Sequence, residues 1–137
     1  MRTELRTSKR IFSLVNDENW LREPALSALK EHDNVHTSIF AYAEVLVLFY
    51  DRATASYDVD VPRAISNLLE LVPIAPKAHE DVVLAGAAFI DEYHLPPFDA
   101  LHAGIVATRG ESVLTSERDY DAAGLERLPP EPTPDEE

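Results

Sequence analysis

The sequence predicts an α/β domain in which a parallel sheet carries helices on its faces. Three observations predict it. A brief strand at residues 35–38 runs straight into a long apolar helix pattern from Ile39. A second short strand pattern, residues 112–115, follows a helix pattern at 98–108. The remaining segments between these recur at helical spacing. Short strands that alternate with helices argue for parallel pairing, because parallel strands need a crossover, usually a helix. With 137 residues, 45% of them apolar, the chain suits one domain with a sizeable core.

The elements follow in order. Residues 1–10 are polar and basic and show neither a helical nor a strand period. Residues 11–15 are a short apolar run, and Asn16-Asp17-Glu18-Asn19 breaks it. From Trp20 a helix is predicted, with Leu21, Ala25, Leu26 and Leu29 near helical spacing and Pro24 in its first turn. His32-Asp33-Asn34 stops it. Thr37 or Ser38 is expected to cap the next helix, 39 to about 53, which is apolar nearly all round and therefore expected to be buried. Asp58 or Asp60 starts another, with Ala64, Ile65, Leu68, Leu69 and Val72 on one face. Residues 72–75 are extended, and a helix over 77–93 buries Val82, Val83, Ala85, Ala87, Phe89 and Ile90. A turn at 94–97 leads into the helix at 98–108, opened by Asp99 and ended by Gly110. A final strand is predicted at 125–128. Four prolines fall in the last nine residues, and 131–137 reads as a disordered acidic tail.

Composition narrows the class. No stretch approaches the roughly 20 apolar residues of a membrane helix, and no apolar signal segment follows the basic start. The chain is therefore expected to be soluble and cytoplasmic. It has no cysteine, so disulfides and thiolate metal sites are excluded. Twelve basic residues against 25 acidic ones give −13, and only three of the twelve are lysine. Phosphate binding normally relies on Lys and Arg. Concentrated salt, however, screens charge within roughly 3 Å at 1 M. Acidic surfaces then coexist with nucleic-acid chemistry, and the composition fits a protein adapted to such a cytoplasm, with an ordinary acidic protein as the alternative.

The chemistry left to the sequence is carboxylate chemistry. There is no GxGxxG, Walker lysine, GxSxG or HExxH pattern. In parallel sheets ligands collect beyond the carboxyl ends of the strands, which points to the residues after 38 and after 115. Glu44 is a lone acid in an apolar helix, where a buried carboxylate needs a partner or a metal; an arginine salt bridge is the alternative. Asp99 sits at a helix start, where the helix dipole alone would also favour it. Glu117 and Asp119 follow the strand at 112–115, with a solvated loop as the alternative. Carboxylates converging in one cleft repel one another, and Mg²⁺ relieves that repulsion. His102 lies one turn after Asp99 and reads as a half-buried helix residue rather than a ligand.

Three strings taken together carry a resemblance. Val35-His36-Thr37-Ser38-Ile39-Phe40-Ala41-Tyr42-Ala43-Glu44 resembles the second strand and acidic helix of the PIN-domain family. Phe98-Asp99-Ala100-Leu101-His102-Ala103-Gly104 resembles its D-A-L-H-A helix, and Val113-Leu114-Thr115-Ser116-Glu117-Arg118-Asp119 its strand-T-S-D-x-D ending. The resemblance covers about residues 12–130. It implies a three-layer α/β/α fold with a parallel sheet, and a domain at 11–130 between an atypical N-terminal segment (1–10) and the tail (131–137).

That family includes the VapC-type toxins of toxin–antitoxin pairs, which are Mg²⁺- or Mn²⁺-dependent ribonucleases. The resemblance accordingly implies a hydrolase acting on RNA, a cognate antitoxin and a homodimer. It implies Glu44, Asp99 and Glu117 as metal ligands, with Asp119 close by as a further catalytic acid and Thr115 or Ser116 orienting an acid or a water. Two departures stand out. The family opens with an apolar strand ending in Asp, and residues 1–10 supply neither. A misassigned or frameshifted start would explain this, as would a decayed copy that only binds an antitoxin or a second subunit. Glu117 also replaces the usual Asp, moving the carboxylate by about one C–C bond, roughly 1.5 Å.

Overall fold

The computed structural model describes residues 3–4, 11–12, 14, 22–32, 34–111, 113–114, 124–125 and 127–128. Among the described residues five helices with defined bounds dominate: α1 (Arg22–Glu31), α2 (Ile39–Phe49), α3 (Val61–Leu71), α4 (Ala78–Tyr93) and α5 (Pro97–Arg109). Six two-residue strands accompany them: β1 (Thr3–Glu4), β2 (Val35–His36), β3 (Tyr50–Asp51), β4 (Ser56–Tyr57), β5 (Val113–Leu114) and β6 (Arg127–Leu128). The strands form three separate pairs among the described residues. β1–β2 and β5–β6 are parallel, whereas β3–β4 is antiparallel. The class is thus α/β and rich in helix.

Three expectations need correction. Residues 1–10 were expected to hold no strand, yet Thr3–Glu4 pairs in parallel with Val35–His36. Pairing uses backbone groups, and two residues are too few to show a side-chain period. The helix from Ile39 ends at Phe49, not near Ala53, and residues 50–57 form a hairpin instead. The Asp51 carboxylate accepts the Ala53 N–H at 2.9 Å, an Asx turn that competes with helix. Ala55 then takes a left-handed φ of 51°, and the Tyr50 and Tyr57 rings meet across the pair at 4.9 Å. Finally, α2 is not buried all round. Tyr42, Val45, Leu46 and Phe49 face the core, but Phe40 is 75% exposed and Val47 and Leu48 are also open.

Other boundaries follow the local chemistry. Ser38 is the N-cap of α2, without a side-chain cap bond. Asp60 caps α3, its carboxylate accepting the Arg63 N–H. Pro96 rather than Asp99 caps α5, and Gly110 closes it at φ 65°.

The core gathers Ile11, Leu14, Tyr42, Leu46, Phe49, Ile65, Leu68 and Val83. Each such side chain contributes about 1.5–3 kcal/mol on full burial. α4 and α5 pack most extensively, and α2 and α3 both lean on α4. A polar seam ties the extended residues 72–75 to this frame. Thr37 bridges Ile74 in parallel, Glu80 accepts the Ile74 N–H at 3.1 Å, and Tyr42 donates its hydroxyl to the Val72 carbonyl at 2.7 Å.

Burial, and secondarily the nearby charge of Glu80, pushes the ionisation of the Tyr42 hydroxyl well above the usual tyrosine range. A raised value means that the unfolded chain loses this proton before the folded one does. The associated stability is therefore complete below about pH 10, the ordinary tyrosine value, and falls as pH rises above it. Denaturant titrations from pH 8 to 11 should show that fall. Tyr42→Phe should reduce it, leaving the part that comes from Tyr57, whose ionisation is shifted in the same direction, and cost about 1–2 kcal/mol at neutral pH, because the Val72 carbonyl loses its partner. A variant as stable as the parent, with the same alkaline slope, would contradict this account.

Candidate active site

The hairpin and the start of α5 together build a small cleft. Tyr57 donates its hydroxyl to the Leu95 carbonyl at 2.6 Å, which fixes β4 to the turn before α5. That turn leaves α4 through His94, in a left-handed conformation at φ 57°. It enters α5 through Pro96 and Pro97, whose fixed φ suits a helix start. Asp99 follows in the first turn, half-buried.

Val47, Tyr50, Arg52, Pro97, Phe98 and Asp99 line the resulting cleft, of about 340 Å³. The Tyr57 hydroxyl reports the local electrostatics. Its ionisation is pushed well upward, first by burial, then by Tyr50, then by the charge of Asp99. The Asp99 charge is thus near enough to the hairpin to act on Tyr57.

Glu44 departs from its expected setting. It is exposed on α2, so desolvation does not force a partner on it. Its helix neighbour one turn on, Val47, lines the Asp99 cleft, and α2 packs against α5. The two acids therefore belong to adjoining helices. Glu117 and Asp119 lie outside the described residues, as do Thr115, Ser116 and the 131–137 tail. Among the described residues no three His, Asp or Glu side chains gather as a metal site.

A larger apolar cleft of about 600 Å³ lies between α2, α4 and α5, lined by Phe40, Val82, Phe98, Leu101 and Ile105 with His79 and His102. His102 is exposed and faces this cleft, not the Asp99 cleft.

Sequence reasoning left two residues of the Asp99 cleft without a specific place. Arg52 is only one of several arginines in the chain, and its position depends on a hairpin that the helical pattern concealed. Phe98 reads as a helix residue, and its 59% exposure has no sequence signature. The Pro96-Pro97 pair is the available signal, since the residue before a proline is held extended and the helix can start only after it.

No described helix is long and apolar enough to cross a membrane. In a comparison with known families, the family model described as PIN domain aligns with residues 11–125. No curated protein and no solved structure matches the chain significantly.

Proposed function

The chain belongs to the PIN-domain family, and from that premise we propose that it is a metal-dependent endoribonuclease of the VapC type, the toxin of a toxin–antitoxin pair. Members of this family are generally nucleases, and the match over residues 11–125 is the observation that carries the reading. The functional domain is taken as 11–130, following the atypical segment 1–10.

Glu44, Asp99 and Glu117 are the proposed ligands of Mg²⁺ or Mn²⁺, with Asp119 beside them as a further catalytic acid. Their donor chemistry suits such an ion. Mg²⁺ prefers hard oxygen ligands and keeps several waters, so one or two protein carboxylates meet its needs. Glu44 and Asp99 offer two from adjoining helices. When bound, the ion would supply Lewis-acid stabilisation at phosphorus and a more acidic water. The protein's own part is positional. The Tyr57–Leu95 anchor holds the start of α5, and the proline pair presents Asp99 to the cleft. The partners in this reading are RNA, a cognate antitoxin and a second subunit docked through the open face of α2, all in the cytoplasm. In a single continuous sheet, the β1–β2 and β5–β6 pairs would form its parallel parts.

A second reading has its own support. The family match begins at residue 11, leaving out the segment where the family carries its first Asp. A domain without that acid would bind its partners and not cut. One assay separates the two readings: incubation of a mixed structured RNA with the chain in concentrated KCl, with Mg²⁺, with Mn²⁺ or with EDTA. Cleavage that needs the ion is the expected result. A chain shown by circular dichroism to be folded, yet inert with either ion, would overturn the nuclease reading in favour of the binding one.

A further inference from the structure

We propose that the Asp99 cleft is a single-nucleotide subsite, in which Arg52 takes a phosphate of single-stranded RNA and Phe98 stacks on the adjoining base. The proposal rests on the ribonuclease reading for the identity of the ligand and, although Asp99 lines the cleft, does not require a bound ion.

Charge selects Arg52. A chain of net charge −13 repels RNA over most of its surface, so a phosphate contact requires a cation that its own acids leave available. Arg109 is held by Glu111 at 2.6 Å, and Arg22 stands 3.6 Å from Glu23. Position then decides among the remaining described cations, since Lys30, Arg63 and Lys77 all lie outside the Asp99 cleft. Arg52 is exposed, makes no ion pair among the described residues and lines the same cleft as Asp99. Its sequence neighbour Asp51 is turned into the hairpin, accepting the Ala53 N–H.

Shape selects one nucleotide. At about 340 Å³ the cleft is at the small end of ligand sites. Of its two aromatic residues, Tyr50 is half-buried and already packed on Tyr57 at 4.9 Å. Phe98 is 59% exposed and stands next to Asp99 in the chain. An open ring beside a cation is the arrangement by which single strands are held with little sequence preference: the base stacks and the phosphate pairs.

The test uses the full chain in EDTA and a short fluorescein-labelled single-stranded RNA of mixed sequence, titrated by anisotropy over a series of KCl concentrations. Arg52→Ala should weaken binding and lower the slope of log K against log[KCl] by about 0.7, the signature of one lost phosphate contact on a single strand. Phe98→Ala should weaken binding about tenfold with the slope unchanged, and Phe98→Trp should restore it. Both side chains are exposed, so both variants should keep the parent's circular dichroism.

Parental affinity and slope in both alanine variants would overturn the subsite. If metal-dependent cleavage then continues with unchanged KM, the nuclease reading survives that failure. A folded parent that neither binds nor cuts RNA would overturn the two together. A change of sedimentation in Phe98→Ala, with RNA binding intact, would assign the ring to a protein contact and overturn the stacking role.

Discussion

Asp99→Asn is expected to lower RNA cleavage by at least about a hundredfold, the scale on which removal of one electrostatic stabiliser acts, while the fold persists. The substitution keeps the shape of the side chain and removes its charge. Two accounts of Asp99 predict different outcomes. If its only role is to complement the α5 dipole from the first turn, the loss is about 0.3–1 kcal/mol of stability and cleavage is unaffected. If it is a metal carboxylate, cleavage collapses whether or not that stability is lost. Denaturant titration and a cleavage time course on the same preparation separate them. Glu44→Gln provides the comparison. Glu44 is exposed, and a fall in cleavage larger than any change in its measured stability would be functional. Retained cleavage in Asp99→Asn would remove Asp99 from the proposed ligands.

The elements legible in the sequence were those long enough to repeat a period. α3 shows this well. Asp60, Pro62, Ile65, Leu68 and Val72 mark its cap, first turn and buried face, and the structure places each accordingly. α4 and α5 were legible for the same reason.

Features that depend on two or three residues were not. β1 is a two-residue backbone pairing with no pattern to read. The β3–β4 hairpin lay hidden because Tyr50 and Ala53 continue the helical spacing of α2, and the Asp51 turn that ends it is a local competition with no period of its own. Glu44 failed differently. An apolar segment with one acid reads as a buried carboxylate, but helix hydrophobicity does not tell which side meets the core, and α2 leaves Phe40, Val47 and Leu48 open on the side that Glu44 shares. The candidate site was therefore only partly readable. Asp99 was singled out at a helix start, where a plain dipole-stabilised acid was the alternative, and its place among the candidate ligands came from the family resemblance. Arg52 and Phe98 needed the hairpin and the entry into α5 to bring them to it.

The largest effect on stability is expected at Gly104. Inside a helix, Gly is about 0.5–1 kcal/mol worse than Ala, so Gly→Ala at an uncrowded site of α5 should stabilise the protein. At Gly104 the sign reverses. A Cβ there would press against the Val82 carbonyl oxygen below contact distance and stand 3.0 Å from the Gly86 nitrogen. Both obstacles are backbone of α4, which cannot rotate away as a side chain would. α5 would have to move off α4, at a cost of about 3 kcal/mol, or roughly 10 °C in melting temperature for a chain of this size. Gly86→Ala is the graded control. Its Cβ would meet the Ala100 carbonyl oxygen at 3.2 Å and a Leu101 side-chain carbon at 3.4 Å, a milder conflict that should cost less. Thermal unfolding followed by circular dichroism checks the order: parent most stable, then Gly86→Ala, then Gly104→Ala. The consequence reaches the site, because the helix that would be displaced carries Phe98 and Asp99 in its first turn. Cleavage by Gly104→Ala, measured well below its melting temperature, should fall with the geometry and not only with the folded fraction. A Gly104→Ala protein that melts at or above the parent would mean that α4 and α5 do not meet backbone to backbone, and the placement of Asp99 would lose its support.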